Sequence, residues 1–308
     1  MLWPEEAADL DRAGRPLTDL RAVGPWVADR IRRWLDEPPE LPEPPEARRG
    51  FMTRAQARRI LAAQPSAPRV RADLQMHTTW SDGTVSIEEM AARSASLGRE
   101  FVAITDHSVG LPIAGGMDEV TLLRQGVEID HVNTEGAGPR ILRSIEMNLS
   151  PGGQGDMDPR TLGGLDLVLG AFHSQLRRTE DQTERYLAAV RNPTVHVLAH
   201  PRGRRWGSRP GLRADWPTVF AAAAQAGTAL EIDAFPDRQD LQVELLELAR
   251  DAGAWISIGS DAHTLDELDH LELGEAAAIR AGITEDRVLN LRSADEVVAW
   301  AAAKRERV

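Results

Sequence analysis

From residue 69 onward, short apolar runs alternate with stretches whose apolar residues recur at helical spacing. The runs at 72–76, 101–105, 141–147, 165–172, 194–200, 229–233 and 255–260 predict strands. Between most of them, residues 86–97, 118–132, 179–190, 216–226 and 241–252 predict helices. Alternation of this kind makes parallel strands with crossover helices. Seven strands in about 240 residues suit a closed or nearly closed (β/α) barrel better than an open sheet.

The first 70 residues have a different texture. Leu17, Leu20, Val23, Val27 and Ile31 recur at helical spacing and are interrupted by Gly24-Pro25, so residues 10–36 read as a short helical unit. A Pro/Glu run over 37–46 predicts an extended, solvated linker, and a basic helix follows over 53–63. The expected division is therefore a helical unit at 1–36, a linker at 37–50, a connecting helix at 51–68 and the α/β domain at 69–308.

Composition narrows the chemistry. The 308 residues include no cysteine, which excludes disulfides, thiolate metal sites and thiol nucleophiles, so any metal must be held by nitrogen and oxygen. No apolar stretch approaches the roughly 20 residues of a membrane span, and the N-terminus lacks the basic and apolar regions of a signal peptide. A cytoplasmic protein with no membrane contact and no obligate protein partner is expected. The net charge of −12 argues against broad nucleic-acid binding by the bare surface.

Ligand-type residues fall at one end of the predicted strands. His77 and Asp82 follow the first, in Gln75-Met-His77-Thr-Thr-Trp-Ser-Asp82-Gly, and Asp106-His107 end the second. Glu146 ends the third, His173 the fourth, His200 the fifth, and Asp261-Ala-His263 the last. Parallel α/β barrels build their active sites at the C-terminal strand ends. A lone histidine there is usually a hydrogen-bonded structural residue, but five of the eight histidines converge on that end. Imidazole and carboxylate suit zinc, manganese or iron, and a bridging carboxylate holds two cations a few ångströms apart. His196 reads as a packing residue, and His131 and His270 as surface residues.

The order Gln-Met-His…Ser-Asp-Gly, Thr-Asp-His, Glu, His-Ser, Ala-His-Pro, Ser-Asp-Ala-His resembles the PHP (polymerase and histidinol phosphatase) family over about residues 70–305. It is most similar to the PHP domain of bacterial family-X DNA polymerases, through Ala199-His200-Pro-Arg-Gly-Arg204, Leu230-Glu231-Ile-Asp-Ala-Phe-Pro-Asp-Arg238 and Ile258-Gly-Ser-Asp261-Ala-His263. The resemblance implies a distorted seven-stranded TIM-like barrel that hydrolyses phosphoesters with a metal-activated water. It also implies two or three divalent cations per chain, zinc or manganese ahead of iron or magnesium. Position by position, it implies a first metal site at His77, Glu146 and Asp261. Glu146 then bridges to a second site with His173 and His200, and Asp82, His107 and His263 form a third. One position departs: Gln75 stands where the family opens with a further histidine. A neutral amide is a poor ligand for zinc or manganese, so a weakened first site is expected.

Asp106 is a candidate to orient the attacking water, or equally to support His107. Arg202, Arg204, Arg205 and Arg209 lie in the most basic loop of an acidic domain, directly after His200. They are the candidate phosphate and leaving-group contacts, with Arg202 and Arg204 nearest the chemistry. Arg177-Arg178 is a second candidate, and Trp80 and Trp206 could stack a base, although packing is the commoner role. Residues 20–31 resemble a helix-hairpin-helix that grips DNA phosphates weakly through backbone N–H groups; a hairpin packed on the barrel stays equally open. No nucleotidyltransferase region precedes it, so no polymerase activity is expected.

The expected activity is 3′→5′ exonuclease or 3′-phosphatase action on nucleic-acid ends or nucleotides. The alternatives are a small-metabolite phosphatase of the histidinol phosphatase type and a catalytically weakened scaffold tethered to DNA. A carbamylated-lysine amidohydrolase is excluded, because Lys304, the only lysine, lies in the C-terminal tail.

Overall fold

A computed structural model describes residues 1–136 and 138–306, so the last two residues of the expected 69–308 domain lie outside it. The chain begins with helices α1 (Ala7–Arg12), α2 (Pro25–Asp36) and α3 (Arg54–Ala63). It then runs β1 (Ala72–Asp73), α4 (Ile87–Ser96), β2 (Phe101–Ile104), α5 (Glu119–Glu135), β3 (Arg140–Arg143), β4 (Glu146–Asn148), α6 (Pro159–Leu162) and β5 (Leu169–Ala171). It finishes with α7 (Thr183–Val190), β6 (Val197–Leu198), α8 (Trp216–Ala226), β7 (Ala229–Asp233), α9 (Val243–Asp251), β8 (Trp255–Gly259), α10 (Leu271–Arg280) and α11 (Ala294–Arg305).

The fold is α/β, with every strand pair parallel. Strands β1 to β3 form one sheet in chain order, and β4 to β8 form a second. Among the described residues the seven expected strands are eight, because the run at 141–147 breaks at Ser144-Ile145. Asp166 makes the break: its Oδ2 accepts from the Arg143 N–H at 2.9 Å, and its own N–H donates to the Arg143 carbonyl at 2.9 Å. That caps β3 and hands the chain from β2 to β5. Beyond the break, His107 pairs with Glu146 and Met76 with Ala262, as isolated parallel bridges linking the two sheets at both sides.

Strands β2, β5 and β7 are buried at every residue, as parallel strands covered on both faces must be. Helix starts follow their caps. Asp118 accepts from the Thr121 N–H, and Ser86–Glu89 and Ser293–Glu296 form capping boxes. Helices α10 and α11 were not among the predicted segments, although Ser293 and Glu296 carry a cap signature that was open to reading.

The N-terminal helices keep a small core of their own: Leu10, Leu17, Leu20, Val23 and Ala28. Residues 37–46 are exposed, as the Pro/Glu run predicts. The segment just after them is anchored. Gly207 N–H donates to Ala47 O at 2.9 Å, Arg204 to Arg49 O at 2.6 Å, and the Gln239 amide pairs with both backbone groups of Met52 at 2.8 Å. Among the described residues, no helix is long and apolar enough to cross a membrane.

Candidate metal centre

Every strand-end ligand candidate lies at the same end of the sheets, and Glu146 is at their centre. Its Oε1 is 2.6 Å from His200 Nε2 and 3.2 Å from His173 Nε2. Its Oε2 is 3.1 Å from His107 Nδ1 and 3.4 Å from His77 Nε2. Beyond these, His77 Nε2 is 3.1 Å from Asp261 Oδ1, and Asp82 Oδ1 is 3.4 Å from His263 Nε2 and 3.6 Å from His107 Nε2. Two nitrogen or oxygen ligands about 2.1 Å from one ion stand roughly 3–3.4 Å apart, so most of these separations are those of ligands sharing an ion.

Among the described residues, three groups bring ligand atoms close enough to hold an ion together: His77, Asp82, His107 and His263; His107, Glu146 and His173; and His77, Glu146 and Asp261. The third is the first site expected from the sequence. In the second, His107 joins Glu146 and His173, and His200 attaches through its contact with Glu146 Oε1.

The surroundings prepare these groups as ligands. His173 Nδ1 faces Asn148 Oδ1 at 3.2 Å and His263 Nδ1 faces the Asp261 carbonyl at 2.8 Å. Each contact places a proton on Nδ1 and turns Nε2 toward the centre, the position a ligand atom needs. His200 and Asp261 leave their strands with φ of 26° and 54°, a strained backbone region for non-glycine residues.

A bound cation fits the donor set. His107 Nδ1 and Glu146 Oε2 are buried and 3.1 Å apart, yet among the described residues neither has a hydrogen bond, nor has buried His77 Nδ1. Glu146, Glu231, Asp233 and Asp261 are all buried at this end. Burial pushes His107 down to about 3, keeping it neutral and able to ligate. Burial opposes the charge on Asp261, but Arg238 and then His77 outweigh it and hold the carboxyl well below the usual range. Burial also opposes charge on His263, yet its bond to Asp82 and the nearby Asp261 raise it to about 9.

Gln75 is engaged elsewhere. With its amide oriented to satisfy its neighbours, the nitrogen donates to both oxygens of buried Glu231, which also accepts the His200 N–H at 2.6 Å. Gly259 makes room for this contact, since a Cβ there would meet Gln75 Cβ at 2.5 Å.

Other site expectations change. Asp106 is fully occupied, accepting from Thr78 N–H at 2.8 Å, Thr78 Oγ1 at 2.7 Å, Ser81 Oγ at 2.5 Å and Gln125 Nε2 at 2.6 Å. These bonds tie it to the loop at 78–81 and to Gln125. Arg202 and Arg204 are buried and both donate to Gln242 Oε1; Arg204 also lies 3.9 Å over the Phe51 ring. Arg205 is exposed and paired with Asp237 at 2.7 Å. Arg209 is partly buried, and its Nε has no partner. Trp80 donates to Glu128 at 3.0 Å, and Trp206 meets Phe51 edge-on. His196 is buried and accepts from Val168 N–H at 2.9 Å. His131 is exposed, whereas His270, expected at the surface, is buried against Phe235.

Glu231, Asp233 and Arg238 were not among the site candidates. Their signal was the alternation Glu231-x-Asp233, which puts two carboxylates on one face of a strand that otherwise lacks a ligand.

No protein-family model matches the chain. Over 233 residues it is 40% identical to the DNA polymerase/3′-5′ exonuclease PolX of Bacillus subtilis, covering 75% of this chain and 41% of that one. The chain thus spans about two fifths of that relative's length. It is 32% identical over 233 residues to a probable phosphatase of Tolumonas auensis, covering 72% of this chain and 90% of that one. Among solved structures, the histidinol phosphate phosphatase of Lactococcus lactis, complexed with zinc, L-histidinol and phosphate, aligns with a TM-score of 0.49 at 15% identity. That alignment covers 70% of this chain and 94% of the other. Identity of 32% along 90% of a probable phosphatase shows the family, and this chain belongs to the PHP (polymerase and histidinol phosphatase) family.

Proposed function

We propose that the chain hydrolyses phosphoesters of nucleic-acid ends or nucleotides, at a centre where Glu146 is shared between divalent cations. The observation that carries this is the division of one carboxylate, with Oε1 toward His173 and His200 and Oε2 toward His77 and His107. His77, Glu146 and Asp261 would hold one cation, Glu146, His173 and His200 a second, and Asp82, His107 and His263 a third. The ligand set favours zinc or manganese over magnesium. Cations held there supply Lewis acidity, acidifying a water and neutralising charge on the phosphoryl oxygens. With Gln75 bound to Glu231 in place of a histidine, the first site is the weakest of the three.

The chain's own residues orient these groups. Asn148 and the Asp261 carbonyl fix the tautomers of His173 and His263, and Asp106 holds the loop between His77 and Asp82. Arg209, with Arg205 and Arg177, would form a basic rim for phosphate beyond the reacting one. The two sheets are read as a closed barrel over 69–308, carrying the appended units 1–36, 37–50 and 51–68. Residues 20–31, with Trp26 69% exposed beside the Gly24-Pro25 turn, are the candidate DNA contact.

Identity to a relative named as a 3′-5′ exonuclease supports the nucleic-acid reading. A small-metabolite phosphatase is the second reading, favoured by the match along 90% of a probable phosphatase. Hydrolysis of an aryl phosphomonoester with excess single-stranded DNA as competitor separates them. Inhibition by the DNA supports the first reading, and indifference to it the second.

A further inference from the structure

Of the arginines near the centre, Arg238 is the one that touches a candidate ligand. Its Nη1 contacts Asp261 Oδ2 and lies 3.6 Å from Asp233 Oδ2. The two carboxylates are sealed, at 2% and 0% side-chain exposure, while the Arg238 side chain is 32% exposed. A guanidinium has five N–H donors in a planar fork. Among the described residues, these two carboxylates are the only ion-pair partners of Arg238, which leaves donors on its solvent side open. Arg202 and Arg204, by contrast, spend theirs on Gln242, Leu212 O and Arg49 O.

The loop that presents Arg238 is fixed at both ends. At its base, Asp240 N–H donates to Asp233 O at 3.1 Å, closing residues 234–239 as a short excursion from β7. Within it, Arg238 N–H donates to Phe235 O at 2.9 Å. Outside, the neighbouring Gln239 is clamped by its two 2.8 Å bonds to Met52. The segment 46–52, expected as linker and connector, thus braces the wall of the centre. Fixed donors aimed where charge develops are worth more than mobile ones, because no reorganisation is needed at the moment of reaction.

We propose that Arg238 takes the substrate's phosphoryl group at this centre, its guanidinium shared between Asp261 on one side and phosphate oxygens on the other. Gln239 and the 46–52 segment act as the positioning elements. This rests on the phosphoesterase reading. Arg238 is the right type for the task, since its fork matches phosphate oxygens two at a time and its charge persists at any working pH.

The test uses the full chain loaded with manganese, comparing wild type with Arg238→Lys and Arg238→Gln. Manganese content is measured by elemental analysis, inorganic phosphate binding by calorimetry, and aryl phosphomonoester hydrolysis by kcat and KM. The expected result is wild-type manganese content in both variants. Phosphate affinity should fall about 10- to 100-fold in Arg238→Gln and less in Arg238→Lys, with kcat/KM falling in step. Unchanged phosphate affinity in Arg238→Gln overturns the proposal. So does loss of manganese in parallel with phosphate, which would make Arg238 a support for Asp261 alone. A wild type that neither binds phosphate nor hydrolyses any phosphoester overturns the wider reading instead, and this one with it.

Discussion

Glu146, the first residue of β4 just past the break at Ser144-Ile145, holds its Oε1 2.6 Å from Nε2 of His200, with both side chains buried. The hydrogen bond to His200 explains one oxygen of that carboxylate. It does not explain the other, which faces His107 and His77 with no hydrogen bond to either.

Glu146→Gln removes the shared negative charge while keeping the shape. Bound manganese or zinc should fall by at least one ion per chain. Phosphoester hydrolysis should drop on the order of 100-fold or more, since even residues one layer out from a metal cost 10- to 100-fold. Elemental analysis of protein freed of loose metal, beside a rate assay, checks both. Retention of all metal in the variant would contradict the shared-carboxylate geometry.

Gln75→His should raise metal occupancy at the His77–Asp261 group and raise activity with it, because imidazole replaces an amide turned to Glu231. Titration of metal-stripped protein with Mn²⁺ reads the change directly. Equal affinity in the two proteins would mean that position 75 does not reach the ion.

Asp106→Asn should behave as a structural change. The new amide would turn N–H groups toward donors from Thr78, Ser81 and Gln125, at a cost of about 1–3 kcal/mol for each bond left unmade. Thermal stability and activity should fall together, and the metal-bound protein should recover part of the loss. An intact melting temperature with activity abolished would return Asp106 to a catalytic role.

The strand-end histidines and carboxylates were legible because parallel strands all deliver their C-terminal ends to one side, so residues far apart in sequence share a site by topology alone. Burial was not legible. Arg202 and Arg204 read as substrate contacts because charge in a loop after a ligand is ordinarily solvated, but Gln242, Phe51 and the Arg49 carbonyl close over them. The split of β3 from β4 depends on Asp166, whose side chain replaces a ladder partner, and strand periodicity carries no trace of that. Arg238 escaped for the opposite reason: a Pro-Asp-Arg turn reads as surface, whereas its partner Asp261 comes from the next strand.

His196 gives a pH signature away from the centre. Burial holds its folded value down to about 3, against an ordinary value of 6.5. The unfolded chain therefore takes up a proton below 6.5 that the folded chain refuses until about 3. Stability attributable to His196 is full above 6.5 and is lost as pH falls, by at most about 1.4 kcal/mol per pH unit. His196→Asn keeps an acceptor for Val168 N–H without a titrating group. Urea midpoints at pH 7.5, 6 and 5 should move toward the variant's favour with acid. Parallel curves for the two proteins would count against a neutral buried imidazole.

Metal-dependent hydrolysis at this centre is tested with an aryl phosphodiester and monoester and end-labelled DNA, with Mn²⁺, Zn²⁺ or Mg²⁺, using wild type and His200→Ala. The expected result is turnover of at least one of them that needs added or retained metal and is lost in His200→Ala. Metal-loaded wild type that hydrolyses none of the three, or equal turnover by the His200 variant, would contradict it.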